Sequence, residues 1–205
     1  MNNILTSRKA VKVFKKNHII PQNILDQILT DTMKAPSTFN LQPWHFFVIN
    51  SVSSKDKLKS CLYGNKSQLE TSSAIILVSG NIQKNDTKEE ILRESFAFHK
   101  TPKLIQQQLL SKIDLLYQKK PYEEIKNEIF LECGLVSLQL MLVAKTYGYD
   151  TCPIGGFNDK IINQIFNIDK KFIPILLIAL GKSSEETLLQ SPSFRLSFDK
   201  VTTYL

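Results

Sequence analysis

The chain has 205 residues, 42% of them hydrophobic and 22% charged, with a formal net charge of +7. These values describe an ordinary globular chain, most simply one domain with enough length to bury its own core. No uninterrupted apolar run approaches the roughly 20 residues of a membrane span, and Met1–Lys9 lacks the basic-then-apolar pattern of a secretory leader, so a cytoplasmic protein is expected.

Residues 8–14 open the chain with Arg8, Lys9, Ala10 and a Val11-Lys12-Val13 alternation that reads as extended. Pro21 suits the first turn of a helix, and Ile24, Leu25, Ile28, Leu29 and Met33 give that helix one apolar face up to Ala35. Residues 35–44, Ala-Pro-Ser-Thr-Phe-Asn-Leu-Gln-Pro-Trp, form a turn stiffened by Pro36 and Pro43. A strand over His45–Ile49 follows, then a short helix opened by Ser53-Ser54-Lys55 and broken at Gly64-Asn65. Ala74–Val78 is a second strand.

Residues 81–121 are the least regular stretch, with one amphipathic piece at Leu104–Leu116, and are read as a lid or excursion. The longest helix runs from Tyr122 to Tyr147. From Phe130 to Ala144 it is apolar nearly all round, which requires burial on every face, either in a core or against a second subunit. Gly148 ends it. Tyr149–Phe157 is a short strand and glycine turn, Asp159–Phe166 a small helix and Phe172–Leu180 a β-branched strand. The tail to Leu205 is extended in character and reads as an arm reaching another subunit.

Chemistry-bearing residues are sparse. Cys61, Cys133 and Cys152 are odd in number and contain no CxxC, while His18, His45 and His99 are scattered, so no disulfide framework or metal site is expected. There is no Gly-x-Ser-x-Gly, no P-loop and no dinucleotide fingerprint. Residues 1–60 carry nine Lys and Arg against three Asp, a net +6. Such asymmetry fits an anionic partner, for which a phosphate-bearing small ligand is the leaner explanation, or a solvated basic face. A nucleic-acid surface is a weaker reading, because the basic residues are not interleaved with aromatics. Amides, hydroxyls and cations without titrating partners suit a cofactor that performs the chemistry itself.

Five blocks then point to one family. Ser7–Phe14 (Ser-Arg-Lys-Ala-Val-Lys-Val-Phe), Ala35–Trp44, Gly64-Asn65 with Gln68, Gly148–Phe157 (Gly-Tyr-Asp-Thr-Cys-Pro-Ile-Gly-Gly-Phe) and Phe194-Arg195-Leu196 resemble, in order and approximate spacing, the motifs of the FMN-dependent nitroreductase family. The resemblance implies an α+β sandwich: a central mixed four-stranded sheet flanked by helices and completed by a C-terminal arm from the partner subunit. It implies a single FMN-binding domain over residues 1–205, with a variable lid at about 81–121 and the arm at about 190–205.

The implied function is an NAD(P)H-dependent oxidoreductase that passes hydride through FMN, in a ping-pong cycle, to nitroaromatic, quinone or similar electron-poor acceptors. The alternative is a flavin-binding dimer that senses redox state or ligand without catalysis. No catalytic side chain is implied. Arg8, Lys12 and Arg195 would hold the phosphate end, with Lys9 and Ala10 contributing mainly backbone. Pro36, Ser37, Thr38 and Asn40 would line the flavin of the neighbouring subunit. Asn65 and Gln68 would bond its polar edge, and Pro153, Ile154, Gly155 and Gly156 would pack over one ring face. Implied partners are a second copy of the chain and a small electron acceptor, without nucleic acid or membrane. Three residues depart from the family pattern: Ala10 where many members have Ser, Gly155 where some have Glu, and Ser193 where some have Lys.

Overall fold

A computed structural model of the protein describes residues 4–85, 87–188 and 193–205. Residues 190–192 of the expected arm lie outside them. The chain forms α1 (Ile4–Ser7), α2 (Gln22–Thr32), a 3-10 turn (Thr38–Asn40), β1 (Trp44–Ile49), α3 (Val52–Lys59), α4 (Lys66–Thr71) and β2 (Ala74–Asn81). It continues through α5 (Lys88–His99), α6 (Lys103–Lys119), α7 (Tyr122–Thr146), β3 (Asp150–Ile154), α8 (Asp159–Ile165), β4 (Phe172–Gly181), α9 (Glu185–Leu188) and a 3-10 turn (Phe198–Lys200).

Local chemistry sets most of these boundaries. Pro21, Pro102 and Pro121 each stand immediately before a helix, with φ between −55° and −59°, where a missing N–H costs nothing. Ser51 and Ser54 cap α3 reciprocally, and the Asn158 side chain accepts the first free N–H groups of α8. Gly148, at φ +72°, turns the chain out of α7, so that Tyr149 N–H reaches back to Ala144 O at 2.9 Å.

The sheet order is β1-β2-β4-β3, and all three pairings are antiparallel. This corrects the expected mixed sheet. β2 and β3 do run the same way, but β4 returns between them, so no two neighbouring strands are parallel. Ile76, Val78, Ile178 and Leu180 face α2 and α7, while Ile75, Leu77, Leu177 and Ala179 face α8, the α3–α4 region and the N-terminal segment. β2 is therefore covered on both faces, which is why Ala74–Val78 is an unbroken apolar run.

Residues 81–121 are more regular than their sequence indicates. They hold α5 and α6, which pack together with Leu41 to form a third cluster of Leu92, Phe96, Ile113 and Tyr117. α7 crosses the sheet close to β2, and Gly80 permits the approach: a Cβ there would overlap Cγ2 of Ile129. By length and mean hydropathy alone α7 could cross a bilayer, although charged and polar residues interrupt its apolar run. One face of it lies in the core, whereas Phe130, Leu131, Leu135 and Leu138 are exposed on the single chain.

Candidate functional site

The N-terminal basic segment is fixed along the outer edge of β3. Ala10 bridges Thr151 in parallel, and Val11 N–H donates to Thr151 O at 3.0 Å. Val11 and Phe14 are buried, Phe14 N–H donates to Thr71 Oγ1 and Lys15 N–H to Lys182 O. With Val11 and Phe14 pointing into the core, Lys12 is left exposed and Arg8 half-buried. Lys9 has a side-chain role beyond the expected backbone one: its Nζ donates to Thr187 O at 2.7 Å and ties the segment to α9.

Asn65 and the glycine turn after β3 meet beside this segment. Asn65, in the left-handed region at φ 61°, precedes α4, and its Oδ1 accepts from Gln68 Nε2 at 3.1 Å. Tyr63 N–H donates to Gly156 O at 3.0 Å, and Leu62 bridges Phe157. The turn is thereby pinned against the start of α4, so closely that a Cβ on Gly156 would stand 3.6 Å from Asn65 Nδ2. Gly155 faces open space and Pro153 is exposed. Ile154 is only 2% exposed, its side chain in the core, so backbone is what it offers a ligand. Gln68 is buried as well, with its amide between Asn65 and Cys152 Sγ.

Two groups of expected residues stand apart from this patch. Pro36–Asn40 lead into β1, at the opposite edge of the sheet, three strand positions from β3. Arg195 lies on the exposed tail, where its Nη1 donates to the carbonyls of Ser193 and Phe194. Within one chain, then, Asn65 lies against Gly156, Gln68 links Asn65 to Cys152 in β3, and Ala10 and Val11 pair with Thr151 on that strand's outer edge, while Pro36, Ser37, Thr38, Asn40 and Arg195 lie on other elements.

The 36–43 loop is tightly built. Phe39, Asn40 and Gln42 all have positive φ (53°, 57° and 48°), a conformation that L side chains resist and that surrounding contacts must enforce. Ser37 Oγ accepts from Gln42 N–H, and Leu41 plugs the α5–α6 cluster. The Thr38 N–H donates to Glu132 Oε1 at 2.7 Å.

Glu132, on α7, is buried and bonded through both oxygens to the buried Lys84 (3.2 and 3.0 Å). Lys84 also bonds Glu128, which accepts from Tyr117 and Lys120. Burial resists ionisation of Glu128, but the donors Lys120, Lys84 and Tyr117 outweigh it and hold its pKa at about 2. Burial and the adjacent Glu128 push the Tyr117 phenol upward. Sequence reading missed this network. Its one signal was a lone acid, Glu132, inside the apolar stretch of the longest helix, since a buried carboxylate demands a partner.

Reactive groups are otherwise muted. Cys61, Cys133 and Cys152 are buried, and burial raises all three thiols, that of Cys133 to about 12. Among the described residues no group of His, Cys, Asp and Glu could hold a metal ion. The arrangement offers cations, amides and backbone in one place, with no side-chain nucleophile among the cysteines.

An antiparallel four-stranded sheet sandwiched by helices, with a basic segment along its β3 edge and a glycine turn after β3, places the chain in the α+β class. The model of the Nitroreductase family matches residues 5–182, and the chain belongs to that family. YodC of Bacillus subtilis (strain 168), provisionally named an NAD(P)H nitroreductase, is 36% identical over 98% of this chain and 97% of its own. A solved protein of Staphylococcus epidermidis, provisionally named an NAD(P)H:FMN oxidoreductase, superposes with a TM-score of 0.94 at 38% identity, covering 100% of this chain and 95% of that one. A provisionally named nitroreductase of Exiguobacterium sibiricum, solved in complex with FMN, gives 0.93 at 33% identity over 98% and 95%.

Proposed function

We propose that the protein is an FMN-dependent oxidoreductase that takes its reducing equivalents from NADH or NADPH. The observation that carries this reading is the packing of Asn65 against the Gly155–Gly156 turn at the end of β3, with the basic segment that holds Arg8 and Lys12 paired to the same strand, in a chain of the nitroreductase family. The donor set fits FMN. Arg8 and Lys12 supply charge-assisted bonds for a phosphate. Asn65 Nδ2 faces the turn, its Oδ1 being engaged by Gln68, and is free to bond a ring or ribityl oxygen. Gly155 leaves open room for a flat ring to lie against backbone.

When bound, FMN supplies the hydride chemistry, between the nicotinamide and an electron-poor acceptor such as a nitroaromatic or quinone, in a ping-pong cycle. The chain's own part is to bind, orient and keep the ring face dry through Pro153 and the backbone of Ile154–Gly156. No side chain is assigned a proton transfer.

The working unit in this reading is a homodimer of single-domain subunits over residues 1–205. The exposed apolar face of α7 supports it, since Phe130, Leu131, Leu135 and Leu138 otherwise stay in water. Among the described residues no strand pairs with the outer edge of β1, and the exposed tail carrying Arg195 is suited to supply one. Pro36, Ser37, Thr38 and Asn40 then line the neighbour's flavin, and Arg195 reaches its phosphate. The α5–α6 excursion, next to this loop, is the proposed lid over the acceptor, and the setting is cytoplasmic.

The test is spectroscopic. The purified protein should be yellow, with an FMN spectrum that bleaches on mixing with NADH or NADPH. A bound flavin that stays oxidised with both would sink the reductase reading in favour of a flavin-binding sensor.

A further inference from the structure

We propose that Glu132 and Lys84 are positioning residues for the flavin. Glu132 pins the Thr38 amide, and through it the left-handed loop Thr38–Gln42, in the conformation that presents Ser37, Thr38 and Asn40 to the ring. The inference rests on the proposed FMN reading and adds residues that touch no ligand themselves.

Three observations carry it. First, the loop is strained, with three non-glycine residues at positive φ within four positions, so something outside it must hold it. Second, the hydrogen bond from Thr38 N–H to Glu132 Oε1, at 2.7 Å, enters at the residue immediately before that strained stretch. Third, the acceptor is itself immobilised. Glu132 is 2% exposed and Lys84 1% exposed, and Lys84 grips both carboxylate oxygens while also bonding Glu128. A carboxylate held by two bonds from a buried ammonium has little rotameric freedom, so the Thr38 amide is fixed by α7 rather than by its own loop.

The arrangement also ties the loop to the excursion. Glu128, bound to the same Lys84, accepts from Tyr117 and Lys120 at the end of α6, and Tyr117 packs in the cluster that Leu41 plugs. One side of the loop is therefore held by a polar bond and the other by an apolar plug, both on elements remote from the patch at β3.

Two neutral double variants separate the hydrogen bond from the charges. Lys84→Met/Glu132→Gln removes both buried charges but leaves a carbonyl oxygen for Thr38. Lys84→Met/Glu132→Leu removes the acceptor as well, at similar volume, and neither leaves an unpaired charge at 84 or 132. Two readouts are taken on the purified dimer: amide hydrogen exchange across residues 36–43 without FMN, and FMN affinity by fluorescence titration. The Gln variant should keep the Thr38 amide protected and hold FMN within about twofold of wild type, whereas the Leu variant should lose that protection and bind FMN about tenfold more weakly.

Equal FMN affinity in the two variants would overturn the inference, as would unchanged exchange at Thr38 in the Leu variant. Should wild type take up no FMN, the cofactor reading and the flavin half of this inference both fail. The exchange comparison then decides alone whether Glu132 pins the loop.

Discussion

The patch beside β3 and the loop before β1 are built on opposite principles. The patch is set by backbone pairing: Val11 onto Thr151, Tyr63 onto Gly156, and the bridge between Leu62 and Phe157. Lys12 and Pro153 are left exposed on it. The loop closes on itself through the N–H groups of Asn40, Leu41 and Gln42, and its strained backbone is further anchored to a buried charge network and an apolar plug. A site made of backbone geometry tolerates side-chain change, whereas one hung on a few buried groups does not.

The largest effect expected from breaking that contrast is at Lys84. Lys84→Met leaves two carboxylates, Glu128 and Glu132, facing a single remaining ammonium, and should cost about 3–5 kcal/mol in chemical denaturation. Native-state exchange should show the loss at the loop while the Val11 amide stays protected. Equal loss in both regions would erase the distinction drawn between them.

A smaller effect, confined to the ligand, is expected from Arg195→Ala. Among the described residues its guanidinium bonds only to its own tail, so the melting temperature without FMN should stay put. FMN retention on dilution should weaken by about 1.5–3 kcal/mol, the range for a bond to a charged group. Full occupancy on dilution would remove Arg195 from the phosphate site.

The smallest expected signal is a pH dependence through Glu128. Its pKa is depressed to about 2 in the folded protein from an ordinary 4.5. The unfolded chain therefore takes up this proton first on acidification. The stabilisation is complete above about 4.5 and is lost as pH falls toward about 2. The gap in melting temperature between wild type and Glu128→Gln should narrow through that window; a constant gap would mean the carboxylate is not ionised in the network.

Much of the patch was legible in the sequence because its residues lie in short local motifs. Ser-Arg-Lys-Ala-Val-Lys-Val-Phe and Ile-Gly-Gly-Phe carry their own turn and strand signals, and family order did the rest. Ile154 and Gln68 were read as ligand-facing, yet strand alternation and packing against Cys152 turn both side chains inward. The α5–α6 hairpin was read as irregular because its apolar residues are diluted by charge. Its helices are defined by packing on each other and on Leu41, a contact no local pattern encodes.

The sequence by itself determined the helices and strands with strong periodicity, the proline and glycine boundaries, and the family. Each of those is a property of neighbouring residues or of ordered motifs. Only the tertiary structure decided that β4 inserts between β2 and β3, making the sheet antiparallel throughout. It alone decided that Glu132 on α7 meets Lys84 after β2 and the Thr38 amide, residues 48 and 94 positions from it along the chain. Buried charges find partners through space, and their spacing along the chain carries no trace of the match.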